Sequence, residues 1–210
     1  MKTIKFNENG DTYHPLPLLK SGNGKTWSQS NITSGNFYSV YYANGIWVAG
    51  CNGLSNKGLY YSIDGKNWIQ SNITDGAFGS VYYNNGLWVA AELFNKGLYY
   101  SADGKTWIQS NITSYSFKYV YYANGIWVAS NGNNKGLYYS LDGKTWTQSN
   151  ITSGEFSCAY YANGIWVVGS NFDNGKGLYY SEVTPDGSIL QVINGEWAMV
   201  AVINAEEVAY

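Results

Sequence analysis

The chain has 210 residues with a net charge of −2 and only 12% charged residues, which excludes a general electrostatic attraction to nucleic acid or to an anionic membrane. No apolar stretch approaches the roughly 18 residues of a membrane span, and the N-terminal residues lack the apolar core of a secretion signal. We therefore expect no membrane insertion.

The first predicted unit spans residues 3–32 and is degenerate. It has strand-like runs and an Asn9-Gly10 hairpin, and it ends with a run that begins at Trp27. Proline cannot donate to a strand ladder, so Pro15 and Pro17 predict a distorted or edge strand. His14 is the single histidine of the chain, and we expect it to be structural.

Three near-identical units follow, at residues 37–73, 78–112 and 117–151, with a period of 39 to 41 residues. Each unit has four runs (a, b, c and d) rich in β-branched and aromatic residues, which favours strands over helices. In the first copy, run a ends at an Asn44-Gly45 turn of the kind that forms type I′ hairpins. Run c begins at Gly58, and run d covers residues 68–73.

The fifth unit covers residues 156–193 and loses the pattern near its end, where Leu190 takes the place of a tryptophan. One further hairpin follows at Asn194-Gly195, and residues 194–210 are predicted to be a closing or attachment strand. Atypical end units are expected in a repeat protein, because a ring must be closed or capped.

Four antiparallel strands in each repeat of about 40 residues are typical of a propeller blade. We predict an all-β fold, a single β-propeller domain over residues 1–210 with five four-stranded blades. The alternative is four blades with terminal attachment hairpins, and a β-sandwich is less favoured because the repeat is strict.

The turn between runs c and d reads Ser62-Ile-Asp64-Gly65-Lys-Asn-Trp68, with copies ending at Trp107 and Trp146. It resembles the Asp box of bacterial neuraminidase repeats, one residue shorter than the family pattern. The resemblance implies a structural turn away from any active site. The whole repeat, over about residues 27–181, is also similar to repeats of bacterial and phage surface and tail proteins. The segments beginning at Phe6 and Ile189 look like parts of phage tail proteins, which implies that the ends serve as attachment elements.

In an antiparallel blade the a–b and c–d turns lie at one edge, and the b–c and d–a loops lie at the other. The first edge (the turn face) is uniform among the copies, whereas the second (the loop face) differs in every copy. Variation confined to one face of a rigid scaffold favours a binding surface over the random sequence change that surface loops tolerate. The predicted ligand-binding residues are Tyr38, Glu92, Phe94, Tyr115, Lys118, Tyr119, Asn131, Asn133, Phe172 and Asp173.

Aromatic rings beside amides and carboxylates suit sugars, so we expect a non-catalytic binding module for a glycan or host-surface ligand. The resemblance to tail proteins implies that the module belongs to a phage or prophage tail, with a location on a virion or cell surface or else in the cytoplasm. The alternative is a structural or oligomerisation part of such an assembly. A sialidase is rejected because the chain has no arginine to hold the substrate carboxylate. Another glycosidase is less favoured, because the loop-face carboxylates show no repeated pairing. We expect no cofactor and no metal site, since one histidine and two scattered cysteines give no ligand spacing.

Overall fold

The computed structural model describes residues 24–52, 57–170, 177–183, 189–193 and 196–200, all of it strand, turn or loop. No helix occurs in these residues, and so none is long and apolar enough to cross a membrane. The strands of the first two sheets are β1 Phe37–Ala43, β2 Ile46–Asn52, β3 Lys57–Ser62, β4 Ile69–Gln70, β5 Phe78–Asn84, β6 Leu87–Glu92, β7 Leu98–Ser101 and β8 Ile108–Gln109. The others are β9 Phe117–Ala123, β10 Ile126–Asn131, β11 Leu137–Ser140, β12 Thr147–Gln148, β13 Phe156–Ala162, β14 Ile165–Ser170, β15 Gly177–Val183, β16 Ile189–Ile193 and β17 Glu196–Val200.

The second to fifth sequence units each form their own antiparallel sheet, in which the strands pair in chain order. We number these sheets as blades 2 to 5, after the sequence units. Blades 2, 3 and 4 are β1–β4, β5–β8 and β9–β12, and blade 5 is the five-stranded sheet β13–β17. The first strands of successive blades pack against one another, so the blades stand side by side as in a propeller. The predicted all-β propeller fold is confirmed.

The a–b turns have the conformation that the Asn-Gly dipeptide predicts. Asn44 and Gly45 both have positive φ, at 50° and 77°, as a type I′ turn requires. The other three copies of this turn repeat both signs. The turn holds the register in which Ala43 pairs with Ile46 and Tyr42 with Trp47.

The apolar core lies between neighbouring blades. Between blades 2 and 3 it contains Val48 and Leu59 on one side and Phe78, Trp88 and Trp107 on the other, all almost completely buried. The same positions in blades 3 and 4 form the next cluster. A blade thus buries its apolar side chains against the adjacent blades, as in other repeat proteins.

Tyrosines from four successive first strands form a ladder through the inner part of the fold. The ring centroids of Tyr41 and Tyr82 are 4.9 Å apart, those of Tyr82 and Tyr121 also 4.9 Å, and those of Tyr121 and Tyr160 5.7 Å. Burial, and then hydrogen bonds and charge interactions with Tyr41 and Tyr121, raise the pKa of Tyr82 far above its usual value. The hydroxyl of Tyr82 therefore stays protonated at any physiological pH.

An asparagine clasp joins successive units at three junctions within the described residues. The side-chain Nδ2 of Asn111 donates to the carbonyl of Trp146 at 3.0 Å, and its Oδ1 accepts from the backbone N–H of Trp146 at 2.8 Å. Asn31 and Asn72 make the same pair of bonds to the following units. These asparagines begin Asn-Ile-Thr sequences that recur in the successive repeats.

Most of the predicted first blade, residues 3–23, lies outside the described residues, as do His14, Pro15 and Pro17. The end of that unit behaves like the later copies. Nε1 of Trp27 donates to the carbonyl of Gly24 at 3.1 Å, as Trp68 does to Gly65 at 3.2 Å. The choice between five blades and four with terminal hairpins stays a prediction.

At the other end, β17 pairs with β16 and adds a fifth strand to blade 5. The predicted closing or attachment segment therefore begins as an edge strand of the last sheet. Residues 201–210 lie outside the described residues.

Candidate functional site

The Asp-box-like turn uses its carboxylate to hold its own backbone. Oδ1 of Asp103 accepts the N–H groups of Lys105 and Thr106 at 2.8 and 2.7 Å and the hydroxyl of Ser101 at 2.9 Å. Burial alone would raise the pKa of Asp103, but these hydrogen bonds lower it below its usual value. The carboxylate on the turn face is thus occupied by structural contacts.

The loop face is built from the b–c loops at residues 93–97 and 132–136 and from the connections between blades at 71–77, 110–116 and 149–155. These segments bond to one another through backbone atoms: Gly97 N–H donates to the Tyr115 carbonyl at 3.0 Å, and Gly136 N–H donates to the Gly154 carbonyl at 3.1 Å. A Cβ on Gly97 would collide with the Ile112 carbonyl, so this close approach requires glycine.

Glu92, one of the predicted ligand residues, is completely buried. Its Oε1 accepts the Ala77 N–H at 3.0 Å, and its Oε2 accepts the N–H groups of Phe94 and Lys96 at 2.7 and 2.9 Å. The carboxylate therefore shapes the loop from beneath. Because Glu92 is buried and bonded to the backbone, it is not among the ligand contacts that we propose.

Asn131, also predicted as a ligand residue, occupies the same buried place in blade 4. Its Oδ1 accepts the N–H groups of Asn133 and Lys135 at 2.7 and 3.2 Å. The two loops accordingly have the same shape, with Asn133 at the place of Phe94 and Lys135 at the place of Lys96. Asn131 is likewise left out of the proposed contacts.

A cavity of about 130 Å³ opens between blades 2 and 3 and is lined in part by Phe94 and Lys96. Asp75 lies in its wall, where the carboxylate pairs with Lys96 Nζ at 2.6 Å and with Lys57 Nζ at 3.6 Å. The hydrogen bond from Lys96, followed by that from the Gly76 N–H, lowers the pKa of Asp75 to about 2. The Phe94 side chain is 63% exposed beside this charged group.

Tyr115 has a backbone conformation that is rare for a large side chain. Its φ is 70°, whereas the corresponding positions of the other copies are the glycines Gly35, Gly76 and Gly154, also at positive φ. A bulky residue in this region costs of the order of 1–3 kcal/mol, and such strain is concentrated at functional sites. The Tyr115 ring is 38% exposed and lies 6.4 Å from the ring of Tyr138 in blade 4.

Four of the other predicted residues are described, and they lie on or next to the loop face. Lys118 donates to Glu155 at 2.8 Å, and Asn133 donates from Nδ2 to Asn95 Oδ1 at the same distance. Tyr119 is half-buried, and burial raises its pKa. Tyr38 is exposed on β1. Phe172 and Asp173 lie outside the described residues.

Sequence reasoning did not single out Asp75, Lys57 and Lys96 as ligand residues. One signal was present, because Asp75 stands where the other copies have serine: Ser34, Ser114 and Ser153. The lysines gave no such signal, since they belong to the invariant start of run c. No group of three or more histidine, cysteine or acidic side chains in the described ranges is arranged to hold a metal ion.

A second concavity, of about 420 Å³, lies on the turn face between blades 3 and 4. Its wall includes Tyr100 and Ile108, and Lys144 Nζ lies 5.6 Å from the centre of the Tyr100 ring. Lys105 has the same relationship to Tyr61 one interface earlier. Because it repeats, this cation–π contact is accounted for by packing between blades.

No family model matches the chain, and no curated protein matches it in sequence. Among solved structures, the computationally designed Ika4 protein matches with a TM-score of 0.54 at 11% identity, over 72% of this chain and 95% of that one. The designed Ika8 protein matches with a TM-score of 0.50 at 9% identity, over 77% of this chain and 60% of that one.

A Bombyx mori GH32 β-fructofuranosidase in complex with sucrose matches with a TM-score of 0.35 at 13% identity, over 79% of this chain and 50% of that one. A TM-score this low carries no argument about the present chain. At identities this small, the two designed proteins support the propeller fold alone.

Proposed function

We propose that this chain is a non-catalytic binding module that recognises a glycan with its loop face. The observation that carries the proposal is Tyr115, a large aromatic residue at φ 70° where the other copies have glycine. Glycine would adopt this conformation without strain, so the fold alone gives no reason for tyrosine. A partly exposed ring is what a sugar-binding surface needs, because a pyranose stacks its C–H groups on an aromatic face.

Phe94 supports the same interpretation. It is 63% exposed and lines the cavity that also holds Asp75 and Lys96. A ring beside charged and polar groups can stack on one part of a sugar while hydrogen bonds fix its hydroxyls. Phe94 and Tyr115 occupy different interfaces between blades, so we propose one or two sites and not one site in every blade.

The proposal is of binding without catalysis. A glycosidase needs two carboxyl groups that face the scissile bond and are available for proton transfer or attack. Glu92 is buried under its loop, Glu155 pairs with Lys118, and Asp75 pairs with two lysines. These contacts favour structural and positioning roles for the three carboxylates.

The biological setting that we propose is a phage or prophage tail, where a rigid propeller presents the loop face to a cell-surface glycan. The support is the similarity of the repeats and the two chain ends to tail proteins. A purely structural part of such an assembly is the competing function, and strained Tyr115 argues against it.

The test is a glycan-array screen of the purified chain, followed by calorimetry on the strongest-binding glycan with the wild type and Tyr115→Gly. The variant relieves the backbone strain, so we expect its melting temperature to stay the same or rise. Loss of the stacking ring should weaken glycan binding about tenfold.

The matched control is Tyr139→Gly, because Tyr139 is about as exposed as Tyr115, at 41% and 38%, but lies on a strand of blade 4. Its melting temperature should fall while its glycan affinity stays unchanged. A chain that binds no glycan on the array, or a Tyr115→Gly variant with wild-type affinity, would refute the proposed function.

A further inference from the structure

Asp75 shows how the loop face holds a carboxylate between two blades. The group receives Lys96 from the following blade at 2.6 Å and Lys57 from the preceding blade at 3.6 Å. Its side chain is 66% exposed, so this anion sits at the surface and not in the core. At this interface the chain itself therefore supplies the carboxylate that lies between the two lysines.

The next interface has the same backbone but lacks the carboxylate. The N–H of Gly132 donates to Ser116 at 2.8 Å there, as Leu93 donates to Ala77 at 2.7 Å one interface earlier. On the side of the preceding blade, the Gly97–Tyr115 bond corresponds to the Gly58–Gly76 bond, at 3.0 and 2.9 Å.

With the backbone matched, Ser114 occupies the place of Asp75, and Lys135 the place of Lys96. Ser114 and Lys135 are both exposed. The ion pairs within the described residues join Lys57 and Lys96 to Asp75 and Lys118 to Glu155, and none of them includes Lys135. Within the described residues, therefore, no carboxylate of the chain pairs with Lys135 at this second interface.

We propose that the loop face at the junction of blades 3 and 4 binds an acidic sugar, whose carboxylate takes the place that Asp75 fills one interface earlier. Lys135 pairs with the ligand carboxylate, and the hydroxyl of Ser114 donates a hydrogen bond to it. A charge-assisted bond of this kind is stronger than a neutral one. This inference rests on the proposed glycan-binding function and specifies its ligand class.

Tyr115 provides the second element of this site. It follows Ser114 in the chain, and the centre of its ring lies 6.4 Å from that of Tyr138 in blade 4. A sugar stacked on the Tyr115 ring can thus direct its carboxylate towards Lys135. The connection between blades 2 and 3 has Gly76 in the corresponding place, so the interface with the built-in carboxylate lacks the ring.

The experiment is a glycan array on which each glycan with uronic or sialic acid is paired with its carboxyl-reduced form. Calorimetry then measures the affinities of both members of the strongest-binding pair. The wild type should bind the acidic member about tenfold more tightly, and this preference should shrink as salt is added. Equal affinity for the two members would overturn the acidic ligand class and leave the glycan-binding proposal in place.

Two variants test the residues. Ser114→Asp supplies the missing carboxylate from the chain itself and should weaken binding of the acidic glycan about tenfold. The new carboxylate pairs with Lys135 and repels the carboxylate of the ligand. Lys135→Gln should abolish the preference for the acidic member while keeping affinity for the reduced one. Ala102→Asp, the same change of charge on the turn face, is the control and should bind as the wild type does.

The outcomes separate the two proposals. Ser114→Asp with wild-type affinity for the acidic glycan and an unchanged melting temperature would overturn the acidic-sugar site. Reduced glycans that bind as well as acidic ones, and lose affinity in Tyr115→Gly, would overturn the ligand class and support the glycan-binding function. Absence of binding to every printed glycan would overturn both.

Discussion

The side-chain amide of Asn72 bonds to both the N–H and the carbonyl of Trp107 in the neighbouring blade. Nδ2 donates to the Trp107 carbonyl at 3.0 Å, and Oδ1 accepts the Trp107 N–H at 2.8 Å. A single amide thus replaces the two backbone bonds that a strand partner would supply. Because Trp107 is itself packed in the core between the blades, the bond fixes the position of a large buried side chain.

Replacing Asn72 by alanine should destabilise the fold markedly. Two hydrogen bonds are lost, and the N–H and carbonyl of Trp107 are left without their partner, which should lower the free energy of unfolding by about 2 kcal/mol. For a chain of this size, the melting temperature should fall by about 4–8 °C, measured by circular dichroism. The control is Asn67→Thr, which installs the residue found at the same turn position in the next two copies and should change the melting temperature little.

The Asp-box-like turn should matter for stability and not for binding. Asp103→Ala removes the acceptor for two backbone N–H groups and one hydroxyl, which should cost about 1 kcal/mol of stability. The affinity of the folded variant for its glycan should equal that of the wild type. A variant that lost affinity at an unchanged melting temperature would assign the turn a role in binding.

Stability should fall in acid over a defined range of pH. The folded chain holds the pKa of Asp75 at about 2, below the ordinary value of 3.8, and those of Asp64, Asp103 and Asp142 are also lowered. A lowered pKa stabilises the fold fully above the unfolded value, and this contribution is lost as the pH falls through the folded value.

The melting temperature should therefore stay level down to about pH 4 and decrease between about pH 4 and 2. Asp75→Ser, which restores the serine of the other copies, should flatten part of that decrease. An equally steep decrease in Asp75→Ser would show that its ion pairs contribute little to the acid response.

On the loop face, Phe94→Ala should weaken glycan binding with little effect on stability. The Phe94 side chain is 63% exposed, so little burial is lost, whereas the loss of a stacking ring should reduce affinity about tenfold. Lys66→Ala and Lys105→Ala change the turn face and should bind normally. Normal binding by Phe94→Ala, together with weakened binding by the two lysine variants, would place the site on the turn face.

Local chemistry accounts for the features of the fold that could be predicted from the sequence. Asn-Gly dipeptides determine the hairpin turns because a type I′ turn needs positive φ at two successive residues, and Asn followed by Gly adopts this conformation readily. The Asp-containing turn was predictable for the same reason, since its hydrogen bonds fall within seven residues. Strand alternation then determined which turns share a face.

Contacts between distant residues could not be predicted in this way. The predicted fourth strand, residues 68–73, is shorter in the structure, where β4 is Ile69–Gln70. The chain leaves the strand at Ser71, whose hydroxyl accepts the Ile73 N–H at 3.1 Å, and Asn72 then turns to the next blade. The asparagine was identical in every copy, but its partner lies 35 residues away, so no local rule identified it.

The candidate site was predictable as a face but not as a set of contacts. Variation among the copies indicated the loop face, and Phe94 and Tyr115 are exposed there. Glu92 and Asn131 varied as well, but they vary beneath the loops, where they bind backbone N–H groups. A sequence comparison cannot separate these two situations, because burial depends on how the loop folds over the side chain.

The asparagine clasp also bears on how such a chain can change over generations. Each clasp joins one amide to main-chain atoms, so this contact does not depend on the side chain of the residue that it holds, and the core positions around it recur in each repeat. A unit can therefore be duplicated or deleted by recombination between near-identical coding segments without any new joint having to arise. Whatever a loop has acquired in one copy, such as Tyr115, can in the same way be transferred to another position in the series.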